Sequence, residues 1–225
     1  MESGLSSRFT DRMLAGTSDG VKVTVRLAGV KVVRAVLIHC HPVEGSFSSA
    51  LRDAAERGLR GAGHDVTVLD LSAEGFRCVM SRAEWESYFA EQTPVPDDLA
   101  HHVVALRTAE ILVFTYPTWW SGLPAQLKGW LDRAMLPGVA FTVSNGHLRP
   151  ALTRVRRIIV VSTYGSPWLY VKAINDNGAR MLMRGLRAAT GWRTRTRHLG
   201  LYAMDTSTDE SRQRFLRRVE RAVAR

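Results

Sequence analysis

The stretch "AVLIHCHPVEGSFSSAL", Ala35–Leu51, decides how the rest of the chain is read. With the residues before it, "VVRAVLI" (Val32–Ile38) is a β-branched, nearly continuous apolar run, the signature of a strand buried on both faces of a parallel sheet. Gly45, Ser46 and Ser48 then open a segment in which Phe47, Leu51, Ala54 and Leu59 fall on one helical face, and "GAGH" (61–64) ends it. The unit is strand, short loop, helix. Its loop admits two chemistries. His39 and His41 share one side of an extended strand while Cys40 points to the other, and no further ligands stand at the three- or four-fold spacing a compact zinc site needs. Exposed N–H groups at a helix start, joined by serine hydroxyls, instead form an anion site. Phosphate is favoured over metal, and a serine-capped helix without a ligand is the plainer alternative.

Working outward, the same unit recurs. "VTVLDL" (Val66–Leu71), "ILVFTY" (Ile111–Tyr116) and "RIIVVST" (Arg157–Thr163) read as further strands, and "TRTRHLGLY" (Thr194–Tyr202) as a weaker fifth. Between them lie helical patterns. Leu99, Val103 and Leu106 follow a cap at Asp97 or Asp98, and Leu123, Leu127, Trp130 and Leu131 share a face. A helix is expected over about Asn177–Ala189, and a last one opens at Ser207 or Thr208 with Asp209 and Glu210 at its positive end. The expectation is an α/β fold, a doubly wound five-stranded parallel sheet with helices on both faces, over residues 32–225. Residues 1–31 form an N-terminal extension, either a flexible arm or an added strand from the alternating "VKVTVRL".

Composition bounds the function. The chain has 225 residues and 45% hydrophobic residues, enough for one sizeable core. No apolar run is long enough to span a bilayer, no secretory signal core opens the chain, and two cysteines suit a reducing cytoplasm. The formal charge is +10, but the arginines are scattered. In the one dense run, Arg212–Arg225, they form the wet face of an amphipathic helix carrying Phe215, Leu216, Val219 and Val223. A nucleic-acid partner is not expected; attraction for an anionic small molecule is.

Ligands of doubly wound sheets sit outside the carboxyl ends of the strands, where strand order reverses. Two further loops lie there. "TYPTWWSGLPAQLKGWLDR" (Thr115–Arg133) sets adjacent Trp119 and Trp120 after Pro117 and Thr118, a wall for a flat aromatic ligand. "STYGSPWLY" (Ser162–Tyr170) brings Thr163, Tyr164 and Gly165, with Trp168 and Tyr170 beyond. A phosphate loop with two aromatic, glycine-containing loops describes a flavin site. No G-x-G-x-x-G or G-x-x-x-x-G-K-[ST] pattern occurs in the first loop.

Over roughly Val32–Ala222 the chain resembles the flavodoxin-like NAD(P)H:quinone oxidoreductases, the group of DT-diaphorase and the bacterial drug-modulator and potassium-efflux accessory reductases. "YPTWWSGLPAQLKGWLDR" carries the likeness most strongly, and "HPVEGSFSSAL" is similar to the family phosphate loop through His41, Ser46, Phe47 and Ser48. "STYGS" resembles the third loop, where the family more often has a second glycine. Tyr170 resembles the family tyrosine near the flavin pyrimidine ring; where some members have an assisting histidine, this chain has Asn175 and Asp176. The resemblance implies FMN or FAD, NAD(P)H as hydride donor, a quinone or similar small aromatic acceptor and a homodimer. Tyr170 and Asn175 are the candidate donors to developing negative charge. The alternatives are a nucleotide-binding regulatory subunit of a transporter and a flavodoxin-type electron carrier, though flavodoxins are typically shorter and acidic. Leu71–Pro96 is long for a connection, and either reaches toward a second subunit or packs as a small helix on its own sheet.

Overall fold

The computed structural model describes residues 32–90 and 92–225; the extension expected over 1–31 lies outside them. Five strands run parallel: β1 (Arg34–His39), β2 (Asp65–Asp70), β3 (Ile111–Pro117), β6 (Arg157–Thr163) and β7 (Arg195–Leu201), in the order β2-β1-β3-β6-β7. The central strand β3, "ILVFTYP", is buried throughout, as its apolar run demands. The edge strand β7 is polar and half-buried, which is why its sequence signal is weak. A short antiparallel hairpin, β4 (Phe141–Ser144) and β5 (His147–Pro150), was not expected. Asn145 and Gly146 both take positive φ at its tip, the geometry that favours this pair in a two-residue turn.

Alternation of side chains divides the core between the two faces of the sheet. On one face Ala35, Leu37, Val113, Ile159 and Val161 pack under α1 (Phe47–Gly61) and α8 (Asp209–Val223). On the other, Val36, Ile38, Leu112, Phe114 and Val160 meet α3 (Ala100–Thr108), α4 (Ala125–Ala134) and the helical segment 177–190. That segment is α6 (Asn177–Arg180), a wide π turn over Met181–Gly185, and α7 (Leu186–Thr190), so the expected single helix is interrupted. Thr208 caps α8 by accepting from the Ser211 N–H. No side chain caps α3: Asp97–Leu99 form a 3-10 turn leading into it, so neither aspartate holds the expected capping position.

The long 71–96 connection carries α2 (Arg82–Glu86), started by a reciprocal pair of hydrogen bonds between Ser81 and Glu84. The fully buried Arg133 of α4 ties it to its own chain, donating to Glu84 Oε1 (2.7 Å), Asp98 Oδ1 (2.9 Å) and the Arg77 carbonyl (2.6 Å). Burial disfavours the Glu84 charge, but Ser81 and Arg133 outweigh it and hold the carboxyl at about 2. Gly129 admits this approach, since a Cβ there would stand 2.1 Å from the Cys78 carbonyl oxygen.

Candidate active site

The strand order reverses between β1 and β3, and the loops after β1, β3 and β6 converge on that end of the sheet. Register levels them. Pro117 pairs with Thr163, and the Thr118 N–H donates to the Thr163 carbonyl at 2.9 Å.

In the first loop, Ser46 is the N-cap of α1, its Oγ accepting from the Ser49 N–H at 3.2 Å. Ser48 is buried in the first turn, Phe47 packs toward the α1 face of the core, and no acidic residue stands in that turn. As at any helix start, the N–H groups of Phe47 and Ser48 have no carbonyl one turn back. His41 Nδ1 lies 3.1 Å from both the N–H and the carbonyl oxygen of Val43, which hold the ring over the loop. His39 points into the α1 side, with Nδ1 2.8 Å from Thr115 Oγ1 and Nε2 buried without a partner. Burial, only partly countered by Asp70, lowers its pKa to about 4, so it is a neutral imidazole. Cys40, also buried, is pushed up to about 11 and is no thiolate ligand.

The second loop turns tightly between Trp119 and Gly122, which exchange N–H···O bonds of 3.3 and 2.9 Å. Trp120 and Ser121, at the tip, have φ of 47° and 58°. Trp120 is fully exposed (102%), whereas Trp119 is partly covered (46%), so the two indoles do separate things. Gly178, at the start of α6, lies against this turn; a Cβ there would come within 3.0 Å of Gly122 C.

The third loop leads from Thr163 through Tyr164 and Gly165 to α5 (Trp168–Ala173). Between it and the second loop lies a cavity of about 280 Å³ walled by Thr118, Trp120, Ser121, Tyr164, Gly165 and Tyr170, with Asp176 at its inner side. Tyr170 is half-exposed at its edge. Asn175 is exposed and does not line the cavity; its neighbour Asp176 does, and is buried. The two carry φ of 74° and 43°, successive left-handed residues that turn the chain from α5 into α6.

Behind this wall is a polar cluster the sequence did not disclose. Tyr164 Oη lies 2.9 and 3.0 Å from the two Asp176 oxygens, Ser162 Oγ is 2.9 Å from Tyr164 Oη, and His198 Nε2 is 2.8 Å from Ser162 Oγ. Burial raises the Tyr164 pKa and lowers that of His198, Asp176 partly opposing the latter. The signal was present only as a serine in a β-branched strand and a histidine in an arginine-rich one.

A second ionisable group, Glu74 with His101 and His102, lies apart from these three loops. The Trp130 indole N–H donates to His102 Nδ1 (3.2 Å), so His102 carries its proton on Nε2, 3.2 Å from Glu74 Oε2. A metal-ligating histidine donates through its other nitrogen, so this trio is arranged as hydrogen bonds rather than as ligands.

A doubly wound parallel sheet with the order β2-β1-β3-β6-β7 is a fold of the flavodoxin type. Residues 34–223 match the model of Flavodoxin_2, described as a flavodoxin-like fold, and the chain belongs to that family. It is 30% identical over 154 residues to rat NAD(P)H dehydrogenase [quinone] 1, covering 62% of this chain and 56% of that one, so the match spans little more than half of the relative's length. It is 27% identical over 179 residues to human ribosyldihydronicotinamide dehydrogenase [quinone], covering 73% and 76%. The solved NAD(P)H:quinone oxidoreductase from Methanothermobacter marburgensis superposes with a TM-score of 0.72 at 26% identity, covering 86% of this chain and 96% of that one. Among the described residues no helix is long and apolar enough to cross a membrane.

Proposed function

We propose that the protein is a flavin-dependent NAD(P)H oxidoreductase that passes a hydride to a quinone or a similar small aromatic acceptor. The observation that carries this is the cavity between the second and third loops, walled by Trp120, Tyr164 and Tyr170, on the same strand ends as the α1 helix start. The names of the two quinone dehydrogenases and of the archaeal oxidoreductase support it.

The residues fit a flavin. The N–H groups of Phe47 and Ser48, with the hydroxyls of Ser46 and Ser48 and the His41 imidazole, offer contacts to its phosphate. Pro117, Thr118, Trp119 and Trp120 on one side, and Thr163, Tyr164 and Gly165 on the other, would hold its ring. A bound flavin would supply the hydride-accepting and hydride-donating chemistry. The chain's part is positional and electrostatic. Trp120 covers the ligand from water, and Tyr170 offers a hydroxyl at the cavity edge to negative charge that develops in the reaction. Nicotinamide and acceptor would take turns over the same open face. FMN, FAD, the nicotinamide preferred and a homodimer all belong to this proposal.

The test is direct. Flavin released by heat from the purified protein and identified by mass spectrometry, together with NAD(P)H oxidation with and without a quinone, supports the reading if both are positive. Flavin without quinone-dependent turnover would favour an electron carrier or a regulatory subunit.

A further inference from the structure

Reduction of a quinone by NAD(P)H consumes a proton as well as a hydride: NAD(P)H + H⁺ + quinone gives NAD(P)⁺ + hydroquinone. The cavity has one carboxylate in its wall, Asp176. It is buried, and it terminates a chain of hydrogen bonds whose direction the geometry fixes.

Tyr164 donates to both oxygens of Asp176, a carboxylate that can only accept. The Tyr164 oxygen is then the acceptor for the Ser162 hydroxyl at 2.9 Å. With its one proton so placed, Ser162 Oγ must accept from His198 Nε2 at 2.8 Å, which assigns an Nε2–H to that imidazole. His198 Nε2 also lies 3.1 Å from Tyr164 Oη, so its N–H reaches Tyr164 directly as well as through Ser162, and both paths run from His198 to Asp176. The two ends differ in surroundings. Asp176 faces the cavity, while the His198 side chain retains 14% exposure and is the wetter end of the Ser162–Tyr164–His198 run. His198 Nδ1 also stands 3.8 Å from Asp176 Oδ2. The charges acting on the imidazole are Asp176, which favours its protonated form, and Lys172 of α5, which opposes it. The remaining titratable groups of the cluster are phenols: Tyr164, Tyr202 stacked on it at 4.7 Å, and the buried Tyr116, which neighbours Ser162.

We propose that His198, Ser162, Tyr164 and Asp176 form a proton relay in which Asp176 is the acid that protonates the reduced acceptor in the cavity. The relay rests on the oxidoreductase reading. A solvent proton binds His198 Nδ1; the Nε2 proton passes to Tyr164 Oη, either directly or by way of Ser162 Oγ, which gives up its own proton to Tyr164, and the Tyr164 proton passes to Asp176. His198 is left neutral with its proton on Nδ1, and Asp176 is a carboxylic acid. The Asp176 O–H bond breaks as an O–H bond forms on the acceptor oxygen that hydride transfer has made negative. Rotation of the two hydroxyls and a tautomer shift at His198 reset the wire. Asp176 is the catalytic residue; Tyr164, Ser162 and His198 act through it.

The test uses the flavin-loaded protein and variants Asp176→Asn, Tyr164→Phe and His198→Gln. His198→Gln removes the group that both paths start from without touching the cavity, and guards against a misfolded Tyr164→Phe. In stopped flow, the relay predicts that bleaching by NAD(P)H stays within about twofold of wild type in His198→Gln. Reoxidation by quinone should slow about tenfold to a hundredfold, as loss of a general acid does, and its solvent isotope effect should change. The second readout is independent of turnover: NMR titration of His198 should shift down in Asp176→Asn, which removes the opposite charge. Normal bleaching with an unchanged quinone step in His198→Gln, or a His198 titration indifferent to Asp176→Asn, overturns the relay alone. Wild-type protein that NAD(P)H does not bleach overturns the relay and the oxidoreductase reading together.

Discussion

Truncation of Trp120 to alanine separates binding from folding more cleanly than any other change at the cavity. The side chain is fully exposed in the ligand-free fold and makes no buried contact, so its loss should move the stability of the apo-protein by no more than about 0.5 kcal/mol. The left-handed backbone at φ 47° is unaltered in kind, because alanine meets the same restriction. Against a flat ring the same indole would bury one face, roughly 100 Å² of the 150–250 Å² that a fully buried aromatic contributes. At about 25 cal/mol per Å² that is about 2.5 kcal/mol, or roughly sixty-fold in affinity. Titration of apo-protein with FMN and with FAD, followed by fluorescence and paired with calorimetric melting without ligand, reads both quantities. Trp119→Ala is the contrast: its indole is half-covered within the turn, so melting and affinity should fall together. Flavin affinity within twofold of wild type in Trp120→Ala would refute the role given to this residue, and so would a clear loss of apo-protein stability.

Other outcomes follow from the same geometry. A Ser46→Asp, Ser48→Asp double variant retains an N-cap at position 46 but adds two negative charges at the helix start, and flavin content on purification should drop sharply; undiminished content would remove the phosphate from this loop. Tyr170→Phe should leave flavin bound and slow its bleaching by NAD(P)H about tenfold, less than the loss of a sole donor because backbone N–H groups share the charge; an unchanged rate in stopped flow would leave Tyr170 with a binding role only. Acid should weaken the fold. His39 and His102, both about 1% exposed, are lowered to about 4 chiefly by burial, whereas unfolded imidazoles titrate near 6.5. The unfolded chain therefore binds more protons between those values, and stability is lost as pH falls from about 6.5 to 4, by up to about 3 kcal/mol for each group. Urea unfolding at pH 7 and near pH 4 checks this, and a His102→Gln variant should show a shallower loss.

Much of the fold was legible because its signals are local. β3 is buried on both faces, so its run of apolar residues has no other reading, and the same holds for β1 and β6. The β4–β5 hairpin carries a readable Asn145–Gly146 turn, but its four-residue strands are mostly exposed and lack the apolar alternation that marks a strand. The capping aspartates were misplaced because Pro96, Asp97 and Asp98 start a 3-10 turn instead. At the site, the three loops could be found from their position after strands and from glycine, serine and tryptophan. The Asp176–Tyr164–Ser162–His198 cluster could not. Its members are up to 36 residues apart in sequence and meet only through the β6–β7 register and the left-handed turn at Asn175 and Asp176. Sequence pointed to Asn175 as the donor, and the backbone turns its neighbour inward.

The central claim is that this cavity holds a flavin that cycles between NAD(P)H and a small acceptor. Anaerobic mixing of the purified protein with NADH or NADPH, followed by a quinone, tests it in one experiment. The account predicts visible flavin absorbance that bleaches on the first addition and returns on the second within turnover times. Protein that carries no flavin and acquires none from solution, or a flavin that NADH and NADPH both leave oxidised, would contradict it.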